Sequence, residues 1–432
     1  MIGTTANMDA RDSVPEQTTT PAPAAILFVH HAGLNWVRGA TRCLLDHLRY
    51  IDRSQFQPIV WCNQPATIDA VTALGIPVHP APYWNGAHPL RPEIGWMREA
   101  WKLIRTHRVR LIHADEFAQA AVLVPVARSA RIPVLAQLHQ VPPLDERLWS
   151  YLHQVDFVVG STRACVAGLI DDGYPAERTR VISNGVDPAR LAAGDARRLR
   201  ADLGIGDRDM VITTVTSFLP HKAVDVTLRA FALLRERRDH CRVLICGDGP
   251  DRAALEAEAR ALNVTSSVFF LGDRSDVGAI LRDATDVLLT TSRDESFGLT
   301  LAEAGVFGVP IVASAIPAHR EVLGDGQAGV LVETGNATDA ADALLRLAND
   351  PALRREYGER IRARVNEMFV IDRYVQTFRD TYTQLLAQPA GEFGWIHGTR
   401  WPRAYSAWVR RAIRRRVARL LPQSSRAQEE FL

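Results

Sequence analysis

Cysteine is scarce in this sequence and follows no metal-binding pattern. Five cysteines are spread over 432 residues, and no two of them form a C-x-x-C pair. An odd, unpatterned set argues against a disulfide framework or a zinc site and favours reduced thiols in a cytosol. The positions are Cys43, Cys62, Cys165, Cys241 and Cys246.

Long apolar runs and a strong net charge are also missing. No uninterrupted apolar stretch reaches the roughly 18 residues that a transmembrane helix needs. Residues 1–24 are rich in Thr, Ala and Pro and lack the apolar segment of a secretory signal, so we expect a disordered tail there. The net charge of +2 gives the whole protein no attraction to nucleic acid.

The composition is that of a globular protein long enough for two domains. Hydrophobic residues make up 47% of the chain and charged residues 23%, which is the balance of a soluble protein. Short apolar runs such as residues 25–29, 111–113 and 157–159 alternate with helical patterns such as residues 39–50 and 93–107. This alternation predicts parallel sheets covered on both faces, with binding groups at the carboxyl ends of the strands.

A strand–loop–helix unit at residues 287–312 carries the most chemical information. Residues 287–289 predict a buried strand, and residues 298–305 predict a helix that ends near Gly308. The free N–H groups and the dipole at that helix start attract an anion, and Gly298 lets a phosphate approach the backbone. Glu295 precedes the helix and Glu303 lies inside it, so one carboxylate is beside the bound group and the other within reach of a ribose.

The same unit resembles the E-x7-E signature of retaining, nucleotide-sugar-dependent glycosyltransferases of family 4. The similarity runs from Glu295 to Ala304 and continues through residues 308–312. An ordinary strand–helix unit with solvated glutamates is the alternative. The resemblance implies that Glu295 orients the sugar hydroxyls and that the donor is bound by Ser296, Phe297, Gly298, Leu299, Thr300 and Glu303.

The loop after the predicted strand at residues 210–216 resembles a second family motif. Lys222 aligns with the lysine that holds the donor diphosphate, whereas Ser217 replaces the usual arginine and Ala223 the usual glycine. An ammonium group still neutralises a leaving phosphate. We hypothesise that Arg38, from the opposite domain, supplies the missing cation; a surface lysine in a turn is the alternative interpretation of Lys222.

Other positions of the resemblance follow other predicted strands. The loop after the first strand is expected to face the donor phosphates, and it keeps Gly33 and Gly39 but only part of the family's Gly-Gly-Ala-Glu run. His139 ends a strand and, by resemblance, lies beside the transferred sugar, although Gln140 stands where the family has an acid. A purely structural histidine is the alternative there. The remaining donor-binding positions that the resemblance implies are Ser217, Gly247, Asp273 and Arg274.

A D-x-D sequence at residues 207–209 matches the metal-binding motif of a different glycosyltransferase fold. It lies in a charged linker, so we expect both aspartates to be solvated. The resemblance to family 4 implies no metal cofactor, because the lysine and the helix dipole do the cationic work.

The resemblance covers about residues 25–388 and implies the GT-B arrangement of two doubly wound, Rossmann-like α/β domains facing across a cleft. The acceptor domain would comprise residues 25–200 with a returning helix at 371–388, and the donor domain residues 201–370. The expected reaction moves a sugar from a UDP- or GDP-sugar to a saccharide or lipid-linked acceptor, in cell-surface polysaccharide or glycolipid synthesis. The alternatives are a nucleotide-sugar epimerase, a sugar phosphorylase, and a non-catalytic relative that binds sugar nucleotides or membrane partners.

Residues 389–432 form a basic extension beyond the resemblance. Apolar residues recur there every three or four residues, with arginines between them, and no acidic residue occurs from residue 401 until Glu429. The pattern suits a helix on an anionic membrane surface, at the inner face of the plasma membrane. A helix docked on the protein itself is equally open, and nucleic acid is a weaker third choice. The side chains of the membrane hypothesis are Trp408, Arg410, Arg411, Arg414 and Arg415.

Overall fold

The computed structural model describes residues 22–31, 39–82 and 90–389, and the side chains of residues 90–93 are not part of the description. Within these ranges the chain forms two parallel sheets, one in each half. The predicted class of two Rossmann-like α/β domains is therefore confirmed. Gly33, Arg38 and the five side chains of the membrane hypothesis lie outside the described residues.

The first sheet has the strand order β3-β2-β1-β4-β5-β6-β7. Its interior strand β1 is buried at every position, because helices cover both faces of the sheet. In the parallel register, Leu27 of β1 lies between Ile59 of β2 and Ile112 of β4. The strands are β1 (Ala24–His30), β2 (Phe56–Cys62), β3 (Val78–Pro80), β4 (Leu111–Ala114), β5 (Val134–Leu138), β6 (Phe157–Gly160) and β7 (Thr179–Val181).

The helices of the first half connect these strands and lead into the second half. They are α1 (Gly39–Tyr50), α2 (Pro65–Ala73), α3 (Leu90–His107), α4 (Ala120–Ala130), α5 (Leu144–Trp149), α6 (Arg163–Asp171), α7 (Pro188–Leu191) and α8 (Leu199–Asp202).

The second sheet has the order β10-β9-β8-β11-β12-β13, and every pairing is parallel. Its strands are β8 (Met210–Val215), β9 (Cys241–Cys246), β10 (Val268–Gly272), β11 (Val287–Thr290), β12 (Ile311–Ser314) and β13 (Val330–Val332). Its helices are α9 (Val224–Arg235), α10 (Arg252–Ala261), α11 (Val277–Asp283), α12 (Leu299–Val306), α13 (Pro317–Val322), α14 (Ala337–Asn349) and α15 (Pro351–Met368).

The last described helix, α16 (Ile371–Ala387), crosses back and packs on the first sheet. Tyr374, Phe378 and Tyr382 from this helix are buried among residues of β1 and α1. The Tyr382 hydroxyl also lies 2.6 Å from Nδ1 of His113 in β4. The first domain thus takes part of its core from the carboxyl-terminal end of the described chain.

In each sheet the order of the strands reverses once, and these two switch points position the candidate site. In the first sheet the order reverses between β1 and β4, and in the second between β8 and β11. Ligands of doubly wound sheets bind outside the carboxyl ends of the strands at such a switch point. We therefore expect the ligand-binding residues in the loops that follow these four strands.

Two further properties of the described residues bear on the expectations. No helix among them is long and apolar enough to cross a membrane. All five cysteines are buried and unpaired with one another.

Candidate functional site

Helix α12 begins at the second switch point, and the position before it has a backbone conformation that favours glycine. Its N-cap, Gly298, has φ of 88° and ψ of 62°, in the left-handed region. A Cβ added there would lie 3.2 Å from Cδ2 of His319 and from Cδ1 of Leu301. The first N–H groups of a helix have no intrahelical acceptor, and the dipole is positive at this end. The bare backbone at Gly298 therefore offers an anion a close approach.

The start of α12 faces the other domain. A Cβ added to Gly39, the first residue of α1, would lie 3.2 Å from Cδ1 of Leu299. The hydroxyls of Ser161 and Thr162, just before α6, donate hydrogen bonds to the Ser296 carbonyl at 3.1 and 2.9 Å. The starts of α1 and α6 in the first domain thus meet the start of α12 at the gap between the sheets.

Lys222 and Glu295 form an ion pair at the edge of this gap. The Nζ of Lys222 lies 2.7 Å from Oε1 of Glu295, and both side chains are less than one fifth exposed. The Ser292 hydroxyl donates to the same carboxylate oxygen at 3.0 Å. The lysine comes from the loop after β8 and the glutamate from the loop after β11, so the switch point brings them together. The pair places a cation and a hydrogen-bond acceptor side by side, which is the combination that the sequence predicts for a phosphate and a sugar hydroxyl.

Glu303 is buried between two arginines that the sequence analysis did not select. Its Oε1 lies 3.8 Å from Arg42 of α1 and 3.9 Å from Arg190 of α7, both beyond hydrogen-bond length. Burial raises the pKa of Glu303, and the two arginines oppose that rise only in part. Arg190 also lies 3.4 Å from Asp46. No sequence spacing relates these residues, because they meet only when the two domains pack. The ribose role of Glu303 stays a prediction.

His139 belongs to a buried histidine–aspartate–histidine chain at the first switch point. Its Nε2 lies 3.1 Å from Oδ1 of Asp115, and Nδ1 of His30 lies 2.6 Å from Oδ2 of the same carboxylate. His30 is the last residue of β1, Asp115 follows β4, and His139 follows β5. The sequence predicts a strand that ends at His139, whereas β5 ends one residue earlier at Leu138. His30 and Asp115 were missed, although polar residues at the ends of buried strands are a usable signal.

Asp115 and His139 each favour the charged form of the other. Burial opposes ionisation of Asp115, but His139 and His30 outweigh it and hold the pKa of the carboxyl well below its usual value. Burial also opposes protonation of His139, but Asp115 and Glu116 raise the pKa of the imidazole above 6.5. A positively charged His139 beside the gap would favour an oxygen-rich ligand.

Three of the predicted donor-binding residues have their side chains engaged elsewhere. Phe297 is buried and packs edge-on against Phe369, with ring centroids 5.3 Å apart, so only its backbone is free for a ligand. The Thr300 hydroxyl donates to the Val215 carbonyl at 3.3 Å. Arg274 forms two bonds to Asp276, at 2.8 and 2.6 Å. These contacts orient the loops of the second domain.

The other predicted positions lie in the loops that follow β8, β9 and β10. Ser217 is half-buried after β8, and Asp273 is exposed after β10. Gly247 has φ of 139°, and a Cβ there would lie 1.8 Å from the Thr216 carbonyl oxygen, so glycine is required by the neighbouring backbone. Ala223, which stands where the family has glycine, adopts the left-handed conformation with φ of 51°.

The expectation that both aspartates of the D-x-D sequence are solvated is wrong for Asp209. That residue is buried, accepts a hydrogen bond from the Gly206 N–H at 3.0 Å and lies 3.2 Å from Arg242. Asp207 is exposed. The aspartate closes a turn before β8 and pairs with an arginine of β9, so its role is structural.

A shallow depression of about 860 Å³ lies elsewhere on the second domain, lined by Ala315, Arg320 and Tyr357 among others. None of the predicted site residues lines it. The depression is therefore separate from the cluster of charged and polar residues described above. We place the candidate site at that cluster, between the facing switch points.

Two Rossmann-like domains with facing switch points and a shared gap define the GT-B class of fold. Comparison with known proteins agrees. Residues 37–190 match the family model "Glycosyltransferase Family 4", and residues 195–364 match "Glycosyl transferases group 1". The chain therefore belongs to the GT-B glycosyltransferases that resemble family 4.

Among sequence relatives, the D-inositol 3-phosphate glycosyltransferase of Salinispora arenicola is 32% identical over 326 residues, which cover 71% of this chain and 68% of that protein. The N-acetyl-alpha-D-glucosaminyl L-malate synthase of Bacillus anthracis is 27% identical over 297 residues, covering 67% of this chain and 76% of that protein.

Solved structures share the fold. Anabaena HepE in complex with UDP and glucose has a TM-score of 0.72 at 22% identity, covering 84% of this chain and all of that one. A glycosyltransferase from Rickettsia africae has a TM-score of 0.74 at 17% identity, covering 85% of this chain and all of that one.

Proposed function

We propose that this protein transfers a sugar from a nucleoside-diphosphate sugar to an acceptor hydroxyl and retains the anomeric configuration. The observation that carries the proposal is the 2.7 Å pair of Lys222 and Glu295 beside the glycine-capped start of α12. One group is complementary to a diphosphate and the other to a sugar, and both come from loops of the second switch point. A relative's structure holds UDP and glucose, which supports the same ligand class here.

The proposed reaction needs stabilisation of the leaving group more than it needs a strong nucleophile. The bond from the anomeric carbon to the diphosphate breaks, and a bond from that carbon to the acceptor oxygen forms on the same face. Lys222 and the N–H groups at the start of α12 stabilise the charge that develops on the diphosphate. Glu295 orients the sugar, and the departing phosphate oxygen takes the acceptor proton.

The acceptor is proposed at the level of chemistry. The two sequence relatives are named for an inositol phosphate and for malate, which are both small anionic molecules that carry a hydroxyl. His139, held in a charged chain with Asp115, lies at the acceptor-domain side of the gap and suits an oxygen-rich substrate. Synthesis of a cell-surface polysaccharide or glycolipid remains the second candidate setting.

The experiment that tests the function is a donor panel with two variants. We expect UDP or GDP, and one of their sugars, to raise the Tm of the wild-type protein. Glu295→Gln should keep the affinity for the free nucleotide and lower the rate of sugar transfer or donor hydrolysis at least about 100-fold, because it removes an oriented charge at the reacting sugar. Lys222→Ala should lower the nucleotide affinity itself.

The controls separate the alternatives. Lys102 is the other lysine of the sequence; it is exposed and pairs with Glu99. The Lys102→Ala protein should bind the nucleotide and its sugar with wild-type affinity. Turnover without an acceptor into an epimeric donor would indicate an epimerase, and a requirement for inorganic phosphate would indicate a phosphorylase. A Glu295→Gln protein as active as wild type would remove the assigned site.

The basic extension is proposed to bind an anionic membrane surface from the cytoplasmic side. The support is its sequence: arginines alternate with Trp, Tyr and Leu at helical spacing. We expect the full chain to float with vesicles that contain phosphatidylserine, and a chain ending at Gln388 to stay in the soluble fraction. Equal flotation of both proteins would contradict the assignment.

A further inference from the structure

His319 is a buried histidine next to the proposed donor site, and the sequence analysis did not select it. It lies in α13, the helix that follows β12, and its side chain has no exposed surface. Its Nδ1 lies 3.0 Å from the carbonyl oxygen of Ser314 and 3.2 Å from the hydroxyl of the same residue. The ring is therefore fixed from one side by the end of β12.

The contacts at Nδ1 determine which ring nitrogen carries the proton. A carbonyl oxygen only accepts hydrogen bonds, so Nδ1 must be the donor. The Ser314 hydroxyl already donates to the Ser292 carbonyl and does not compete for that role. Burial lowers the pKa of His319 below 6.5, and Glu295 opposes this fall only in part. The ring is neutral at pH 7, and its Nε2 has a lone pair and no hydrogen.

That lone pair has no partner among the residues that the structure describes. Nε2 is buried and makes no hydrogen bond there. It borders the bare α-carbon of Gly298, because a Cβ added to that glycine would lie 3.4 Å from Nε2 and 3.2 Å from Cδ2. A buried acceptor without a partner costs free energy. An apolar side chain of similar size would fill the space without that cost, so a ligand that completes the bond explains the histidine better.

We propose that Nε2 of His319 accepts a hydrogen bond from the transferred sugar, through a hydroxyl or an acetamido N–H. This inference rests on the proposed function. A diphosphate oxygen is not the partner, because it carries no hydrogen at neutral pH and Nε2 has none to give. Glu295, also an acceptor, lies close enough to interact electrostatically with the ring. The two groups would select sugars that present two hydrogen donors on this side.

The test uses two substitutions that divide the functions of the ring. His319→Asn keeps an amide N–H near Nδ1 for the Ser314 carbonyl but has no atom at the position of Nε2. His319→Gln reaches that position with an amide oxygen, which restores the acceptor. Both variants are compared with wild type by calorimetric titration with UDP, UDP-glucose and UDP-N-acetylglucosamine, or with the GDP equivalents if GDP is the nucleotide that binds. Urea unfolding checks that each variant is folded.

The expected result is a loss confined to the sugar. His319→Asn should bind the free nucleotide like wild type and bind the nucleotide sugar about 3- to 10-fold more weakly, the effect of one neutral hydrogen bond. His319→Gln should recover part of that loss. A loss with both sugars identifies a shared hydroxyl, and a loss with the N-acetylated sugar alone identifies the acetamido N–H; either supports the proposal.

Other results overturn it. Equal weakening of nucleotide and nucleotide sugar would make His319 a structural residue, and unchanged affinity for both would leave its Nε2 without a role in binding. If Glu295→Gln impairs turnover while His319→Asn does not affect sugar binding, this inference fails and the proposed function stands. If wild-type protein binds no nucleotide sugar, both fail together.

Discussion

At the scale of single residues, the site is built from charges that satisfy one another before any ligand arrives. Lys222 is neutralised by Glu295 at 2.7 Å, and Asp115 is flanked by His30 and His139. Buried charges persist in a fold when they are paired and hydrogen-bonded. The pairs fix the position of each side chain, which reduces the reorganisation needed on binding.

The Asp115–His139 pair predicts a pH dependence of stability. The folded-state pKa of His139 is raised above 6.5, so its contribution is complete below about pH 6.5 and is lost as the pH rises through the raised value. The depressed pKa of Asp115 confines its own loss to strong acid. Asp115→Asn should cost about 3 kcal/mol of unfolding free energy near pH 6, and less at pH 9.

Urea denaturation of wild type and variant at several pH values measures that difference. Asp69→Asn, at an exposed position of α2, is the matched control and should show a small, constant effect. In the variant, the NMR titration of His139 should move below the wild-type midpoint. A wild-type-to-variant difference that stays constant from pH 6 to pH 9 would contradict the charge assignment.

At the scale of elements, the position of a helix start depends on one backbone conformation. Gly298 lets the loop after β11 turn sharply into α12, with φ of 88°. The helix then packs on α15, where Gly358 approaches so closely that a Cβ would lie 2.1 Å from the Gly308 carbonyl oxygen. Glycine thus fixes both ends of α12, and the helix is held rigidly toward the gap.

Gly298→Ala should lower both stability and ligand affinity. A left-handed alanine costs about 1–2 kcal/mol, and the new methyl also lies 3.2 Å from His319 and Leu301. Gly335→Ala is the matched control: its φ is 82°, and a Cβ there meets no atom within 4 Å. By urea unfolding we expect left-handed backbone strain to destabilise both variants, with an additional loss in Gly298→Ala from the two close contacts. We expect loss of nucleotide affinity in Gly298→Ala alone. Equal affinity in the two variants would mean that no ligand approaches Gly298.

At the scale of the whole molecule, the two domains share residues as well as a gap. The Val186 N–H donates to the Phe369 carbonyl at 2.8 Å, and the Ile371 N–H donates to the Val186 carbonyl at 3.0 Å, where the chain crosses between the domains. Helix α16 then completes the first core. The first domain therefore depends on residues more than 300 positions away from β1 in the sequence.

Removal of α16 should unfold the first domain. A chain ending at Val370 loses Tyr374, Phe378 and Tyr382, which are all buried against the first sheet. Phe378→Ala alone should cost about 3–5 kcal/mol. We expect the short chain to bind a hydrophobic dye and to lose its cooperative thermal transition, whereas a chain ending at Gln388 should unfold like the full protein. Equal cooperativity in both truncated proteins would show that α16 is dispensable.

The sequence by itself determined the class of fold and selected the stretch that we propose as the donor site. Alternating buried strands and helices specify parallel sheets, because each periodicity is local to a few residues. Gly298, Glu295 and Lys222 could be selected because each lies in a short motif whose spacing is readable. Local patterns also placed His139 within one residue of its strand end.

Only the tertiary structure decided which residues meet. Asp115 joins His30 to His139, Arg42 and Arg190 approach Glu303, and the ring of His319 borders Gly298. These partners are brought together by strand order and domain packing rather than by spacing along the chain. The same reason explains the burial of Asp209 by an arginine of a neighbouring strand. Contacts between distant segments depend on the whole fold, so no local pattern records them.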